Sequence, residues 1–429
     1  MSEQEALKAA QKQNDQVENN SAMAESGKAS NEAFDLMKNA ALTKSEKPAS
    51  DSLDGFIPQI VLQTMEDNLA NRFVQKQMNL SPEQAKELQK QLDEAGSLQF
   101  TKDTKIDPRI PGKGQAERLT YDAKNKNYDD PSLPGELIRG EGTAAVADKT
   151  VNEIHDYGGK FRTFMKDFLQ RNSIDDKGMD LVQSAHVGNK WGNAAWDGEN
   201  NRMVYGDGDG LLLKGFIKSD VIGHEMAHGI TQYNSNLDYH NQSGALNESF
   251  SDCVGIAFKQ YLAGQKAERV DKNWLIGEGV FADWIGAKGL RDMLNPGTAY
   301  NAPLLGKDPQ PADMAHYKNM PDDENNDNGG VHINSGIPNR AFAEAAIALG
   351  GNSYDKPLAI WYKTNQKLGG DANGPKTDFK TWANATVETA KEMYGADAAA
   401  KVKAAWELVG VLSPAAVAEL SPEKKTQAA

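Results

Sequence analysis

A short run near the middle of the chain constrains it more than any other feature. Val221-Ile222-Gly223-His224-Glu225-Met226-Ala227-His228-Gly229 reads as helix, with His224 and His228 four positions apart. Residues four apart on an α-helix lie one above the other, so both imidazoles reach a single metal ion. Glu225 lies about 100° round the same helix, at ~3.6 residues per turn. It stands beside such an ion without binding it, placed to take a proton from a water there. Alone, the run also suits two surface histidines on an ordinary helix. Downstream, Gly244-Ala245-Leu246-Asn247-Glu248-Ser249-Phe250-Ser251-Asp252 opens a second helix with Glu248 and Asp252 on one face. A catalytic zinc takes three protein ligands and keeps a fourth position open, which His224, His228 and Glu248 satisfy. Asp252 suits a supporting role, accepting the proton on the far nitrogen of a ligating histidine, assigned here to His224. The plain alternative is an exposed acidic helix face. It must explain why both carboxylates sit among Phe250, Cys253, Val254, Gly255 and Ile256.

The rest of the chain narrows the class. Its 429 residues carry 47 Lys and Arg against 61 Asp and Glu, a formal net charge of −14. No excess of positive charge meets phosphates, which argues against nucleic acid or an anionic membrane as partner. The single cysteine, Cys253, excludes an internal disulfide framework and any site of several thiolates, and reads as a small buried side chain. No apolar run reaches the ~18 residues of a membrane span. The N-terminal MSEQEALKAAQKQNDQVENN lacks the apolar stretch of a secretory signal. A cytoplasmic protein is expected as synthesised, with secretion by a route needing no signal peptide as the alternative.

Residues 1–50 hold one aromatic, Phe34, and predict a disordered extension. Helical spacing over 60–78 and the start signal Ser81-Pro82-Glu83 predict a small helical prosegment over 51–110, bounded by Gly/Pro-rich sequence around 110–114. Strand-like LTYDAK, ELIRGEG, DLVQSAHV and RMVYGDG, with one helix near 147–171, fill a β-rich lobe over 111–234. Helical patterns dominate 235–413, and 414–429 is a polar tail. Strands followed by helices predict α+β with two lobes and a site in the cleft between them.

Five motifs, HEMAH, GALNESFSD, NAAWDG, MVYGDGDG and DNGGVHINSGIPNRAF, stand in the order and at the spacing of the thermolysin family of zinc metalloendopeptidases. The resemblance runs from Arg118 to Leu412, and the short prosegment resembles a protealysin-like subgroup. It implies a two-lobed thermolysin-like fold and one catalytic zinc held by His224, His228 and Glu248. It implies Glu225 as general base and then proton shuttle to the leaving amine. His332 and Tyr239 would donate to the oxyanion, with Asp327 orienting His332. Asn193 would hold the substrate backbone, Arg291 its carbonyl, and Ala194 the leaving-amine side through its own carbonyl. Val221, Ile276, Val280 and Leu290 match the family's pocket, implying cleavage of proteins or peptides on the amino side of bulky hydrophobic residues. These four also suit a plain core. The roles agree with the chemistry, because peptide hydrolysis builds negative charge that placed donors stabilise. His155, His186, His240 and His316 have no partner at ligand spacing and read as satisfied or exposed.

The chain departs from the family's pattern in three places. Lys259, Asn273 and Leu275 stand at positions of a paired calcium site, where only Asp220 and Glu278 keep carboxylates; loss of that site is expected. Ala195 replaces an aromatic on a subsite wall. Gln59 replaces a second proline after Phe56-Ile57-Pro58, which predicts a looser hold of the prosegment on the cleft. The precursor is expected to be latent, inhibited in cis by its prosegment. A catalytically inactive binding protein of the same fold is the alternative. It would have lost Glu225 or His332, and both are present. An aminopeptidase would need an acidic site for a free amine, and no motif supplies one.

Overall fold

A computed structural model describes residues 55–96 and 116–413, all within one unit spanning Ser50–Ala429. The extension expected over 1–50, the boundary at 110–114 and the tail over 414–429 lie outside the described residues. After Pro58 the segment expected to be a prosegment forms α1 (Gln59–Ala70), α2 (Arg72–Gln77) and α3 (Pro82–Gly96). Spacing predicts one helix over 60–78, but the chain breaks at Asn71. Its extended backbone, φ −81° and ψ 117°, lets its side chain accept the amide of Phe73 and cap α2. α3 begins where Ser81-Pro82-Glu83 predicts. Gln84 N donates to Ser81 Oγ at 3.2 Å, and Ser81 N donates to Gln84 Oε1 at 2.8 Å. Val61, Leu62, Met65 and Leu69 of α1 are buried, as are Leu88 and Leu92 of α3. Each such burial is worth about 1.5–3 kcal/mol.

The next lobe is a sheet of order β2-β1-β3-β5-β4, built from β1 (Arg118–Asp122), β2 (Glu136–Arg139), β3 (Leu181–Ala185), β4 (Ala194–Asp197) and β5 (Arg202–Tyr205). β1, β3 and β5 run parallel, while β2 and β4 are antiparallel edges. α4 (Lys149–Leu169) packs on the sheet, burying Val151, Ile154, Phe161 and Met165. Polar alternation gives no warning of β4, because all its residues are buried.

Helices follow: α5 (Ser219–Tyr233), α6 (Asn241–Ala263), α7 (Asp327–Asn334), α8 (Gly336–Leu349), α9 (Lys356–Leu368) and α10 (Phe379–Leu408). The helical pattern expected throughout 235–413 fails between α6 and α7. There two ribbons form, β6 (Leu275–Ile276) with β7 (Arg291–Asp292) and β8 (Asn301–Ala302) with β9 (Gly306–Lys307). Gly277, Gly279, Gly286, Gly297 and Gly306 take positive φ in this stretch, which a helix cannot hold. α5 lies between β4 and α6. The two helices meet at glycines. A Cβ on Gly223 would stand 3.0 Å from Gly255 Cα, and one on Gly255 would stand 2.5 Å from the carbonyl oxygen of Asp220.

Candidate active site

That close crossing brings the predicted ligands together. Nε2 of His224 and Nε2 of His228 are 3.0 Å apart. Glu248 Oε2 lies 3.4 Å from the first and Oε1 lies 3.3 Å from the second. Asp252 Oδ1 accepts from His224 Nδ1 at 2.8 Å, and Asn247 Oδ1 from His228 Nδ1 at 2.9 Å. Both outer nitrogens therefore carry the proton, and both Nε2 atoms present lone pairs. Glu248 Oε2 is buried without a hydrogen-bond partner. Lone pairs and a carboxylate that converge in this way repel one another unless a cation lies between them. Ligand atoms at the ~2.0–2.2 Å bonds of tetrahedral zinc stand roughly 3.3–3.5 Å apart, close to the spacings here. The donor set fits zinc.

Asp252 does more than orient His224. It is fully buried and also accepts from Arg291 Nε at 2.8 Å, Arg291 Nη2 at 2.7 Å and Asn339 Nδ2 at 2.8 Å. Burial alone would raise its pKa, but the guanidinium and His224 hold it down to about 2. The sequence reading missed Asn247 and Asn339. Both lie inside the motifs, yet nothing in a short polar side chain marks it as a partner of a group far along the chain.

Glu225 is buried beside the ligands. Its Oε2 accepts from Trp196 N of β4 at 2.9 Å, while Oε1 has no partner. Burial pushes its pKa up to about 8. α7 starts with a left-handed turn, in which Asp327, Asn328, Gly329 and Gly330 take φ of 57°, 48°, 85° and 79°. The turn lets Asp327 face its own helix. Its Oδ1 accepts from His332 Nδ1 at 2.6 Å and its Oδ2 from His332 N at 2.9 Å. His332 Nε2 then lies 3.2 Å from the Tyr239 hydroxyl and 3.4 Å from Glu248 Oε1, and that hydroxyl donates to Glu248 Oε1. All four predicted catalytic side chains thus surround the ligands or hold one that does.

The predicted substrate-binding residues grip a segment of the chain itself, Phe56-Ile57. Phe56 N donates to the carbonyl of Ala194 at 2.9 Å. Ile57 N donates to Asn193 Oδ1 at 2.9 Å, and Asn193 Nδ2 donates back to the carbonyl of Ile57 at 3.0 Å. Arg291 Nη1 reaches the carbonyl of Phe56 at 3.4 Å. The Phe56 ring meets His224 edge-on at 5.2 Å and lies 5.0 Å from the Arg291 guanidinium. Phe56 and Ile57 are 0% and 1% exposed, with Gln59 where a second proline would stand. Side-chain burial and main-chain hydrogen bonds hold the segment without a second proline. Val221, Ile276, Val280 and Leu290 are all buried in the apolar cluster that includes Phe56. Leu290 and Phe56 both lie against Gly277. Ala195 packs instead with Val187, Trp191 and Val204, while its neighbours Ala194 and Trp196 join the main core, as strand alternation requires.

The remaining sequence marks resolve simply. Lys259 Nζ lies 3.7 Å from Asp220 Oδ2 and 3.2 Å from Glu278 Oε2, and donates to the carbonyl of Leu275 at 2.9 Å. His155 is buried with Nδ1 3.0 Å from Thr120 Oγ1. His186 bridges Asp207 and Asp148, while His240 and His316 pair with Asp322 and Asp313. Cys253 is free and buried.

Comparison with known proteins agrees with this geometry. The profile of the thermolysin metallopeptidase catalytic domain matches residues 83–232, and that of the thermolysin metallopeptidase alpha-helical domain matches 235–411. An extracellular metalloprotease of Pectobacterium carotovorum is 46% identical over 299 residues, 70% of this chain and 82% of that protein. The protease PrtS of Photorhabdus sp. is 38% identical over 361 residues, 83% of this chain and 92% of that one. The solved precursor of protealysin, a metalloproteinase from Serratia proteamaculans, superposes with a TM-score of 0.70 at 40% identity. It aligns with 83% of this chain and 99% of its own.

Proposed function

Since the chain belongs to the thermolysin family of metallopeptidases and is a zinc endopeptidase, we propose the following division of labour among its residues. His224, His228 and Glu248 hold the zinc, which supplies Lewis acidity to water and to the scissile carbonyl when bound. Glu225 takes a proton from the attacking water and delivers it to the leaving amine. Its unpartnered, buried Oε1 supports that role. His332, oriented by Asp327, and Tyr239 donate to the carbonyl oxygen as negative charge grows there. Asn193, Ala194 and Arg291 hold the backbone after the cut. The pocket of Val221, Ile276, Val280 and Leu290 takes a bulky hydrophobic side chain at the residue whose amine leaves.

One observation carries this reading: the chain's own Phe56 lies where such a residue would, its amide on Ala194 and its ring against His224. The same observation supports latency, with the prosegment over 51–110 filling the cleft until it is removed. An extracellular relative favours action outside the cell, after synthesis in the cytoplasm. We also infer that Lys259 takes the place of the paired calcium ions. The test compares the intact chain with protein trimmed of its prosegment, on a fluorogenic peptide carrying Phe after the cut. The trimmed form should be far the more active. Equal rates would remove latency, and no zinc-dependent cleavage by either form would remove the assigned chemistry.

A further inference from the structure

If the prosegment lies like the leaving side of a substrate, something must keep it from being cut like one. The answer lies one residue before Phe56. Gly55 is buried, and a Cβ placed on it would stand 2.4 Å from Asn193 Nδ2, 2.6 Å from its Cγ and 2.9 Å from its Oδ1. Carbon does not approach heavy atoms so closely without displacing them. The Asn193 amide is not free to move aside. Its Oδ1 accepts from Ile57 N at 2.9 Å and Ala194 N at 3.0 Å, and its Nδ2 donates to the Ile57 carbonyl at 3.0 Å. Swinging it away would release the very residue it grips.

The side chain that holds Ile57 therefore forbids any side chain at position 55 in this pose. An ordinary substrate, with a side chain on the residue before the cut, cannot lie along the same path while its residue two places on is held by Asn193. The chain turns across the Asn193 amide instead, with a bend at Phe56 and Ile57. We propose that Gly55 is the lock of the prosegment: it permits a substrate-like grip on the leaving side while its own path is closed to residues that bear a Cβ. This rests on the latency proposed above and adds a residue that sets it.

The experiment uses the full chain with Gly55→Ala and Gly55→Val, assayed on a fluorogenic peptide beside wild type and trimmed enzyme. Zinc content and thermal unfolding check that each variant is folded. Overpacking of this size predicts a rise in precursor activity of about five- to hundredfold, greater for Val than for Ala. Mass spectrometry then reads the fate of the segment. A new amino terminus at Phe56 means that it has become a substrate: water adds across the 55–56 bond, leaving a carboxyl on residue 55 and an amine on Phe56. An intact segment in an active precursor means that it has been expelled. Either outcome supports the lock. Folded variants as latent as wild type would overturn it. Should the variants not fold, two synthetic peptides covering residues 53–60, with Gly or Val at position 55, decide by inhibiting trimmed enzyme; equal potency overturns the proposal. A wild-type precursor already as active as trimmed enzyme would count against latency itself, a result distinct from these.

Discussion

The pair α5 and α6 builds two seats for a positive charge, and the two are made differently. At one, His224, His228 and Glu248 turn lone pairs toward a common point, and every proton is held on the outside by Asp252 and Asn247. At the other, Asp220 and Glu278 face Lys259, an ammonium carried by the chain itself. Carboxylates gather at both. The difference teaches that grouped acidic residues do not alone mark a metal site; what matters is whether the protein brings its own counter-charge.

The largest effect should come from the residue beside the first seat that does not bind there. Glu225→Gln should lower peptide cleavage by about 10²–10⁴-fold while atomic absorption still finds one zinc per chain. Lost zinc would instead make Glu225 a ligand. Next comes the outer proton-holder of the first seat. Asn247→Ala should weaken zinc binding by about 10–100-fold, read by chelator competition, with little change in activity at saturating zinc. At the second seat, Lys259→Met strands the nearly buried Asp220, and chemical denaturation should show a loss of about 1–3 kcal/mol. Lys259→Glu should make the melting temperature rise with added calcium, whereas wild type should not respond. A wild-type response would show that both seats take metal.

Which parts of these seats could be read beforehand follows from how far each contact reaches along the chain. His224, His228 and Glu225 share one helix, and Glu248 and Asp252 share the next, so helical period sets each group on its own helix and only the crossing at Gly223 and Gly255 joins them. Arg291 and Asn339 reach Asp252 across 39 and 87 positions, and no local period links them. Asn193 and Ala194 were visible only through the family resemblance, because one precedes and the other opens a strand buried too evenly to alternate. The break at Asn71 was missed because a capping asparagine inside a helical pattern resembles any other polar residue on the wet face. Strand and helix order gave the fold class, but the glycine-bent ribbons after α6 have no periodic signature.

The smallest predicted effects separate two histidines outside both seats. Burial pushes the His155 pKa down to about 4 from 6.5, with Arg118 and Arg139 adding to it. Its contribution is complete above the unfolded value and lost as pH falls from 6.5 toward 4. For His186, hydrogen bonding to Asp207 outweighs burial, and Asp148 adds to it, raising the pKa to about 9. That contribution is complete below 6.5 and lost as pH rises toward 9. Melting curves across pH should therefore lose part of their acid-side slope in His155→Gln and part of their alkaline-side slope in His186→Asn. Matching slopes in variant and wild type would refute the assignment.

Gly223 and Gly255 carry no group that could bind an ion, yet they set the gauge of the machine. Because no methyl stands between the two helices, the span from one imidazole pair to the facing carboxylate is fixed by backbone against backbone, the least compressible contact a protein has. The spacing of the ligands is thus set by Gly223, next to His224, and by Gly255, two turns beyond Glu248, in hydrogen atoms where other residues have carbon. A single added methyl there would act as a shim, widening the cage without altering any group that lines it.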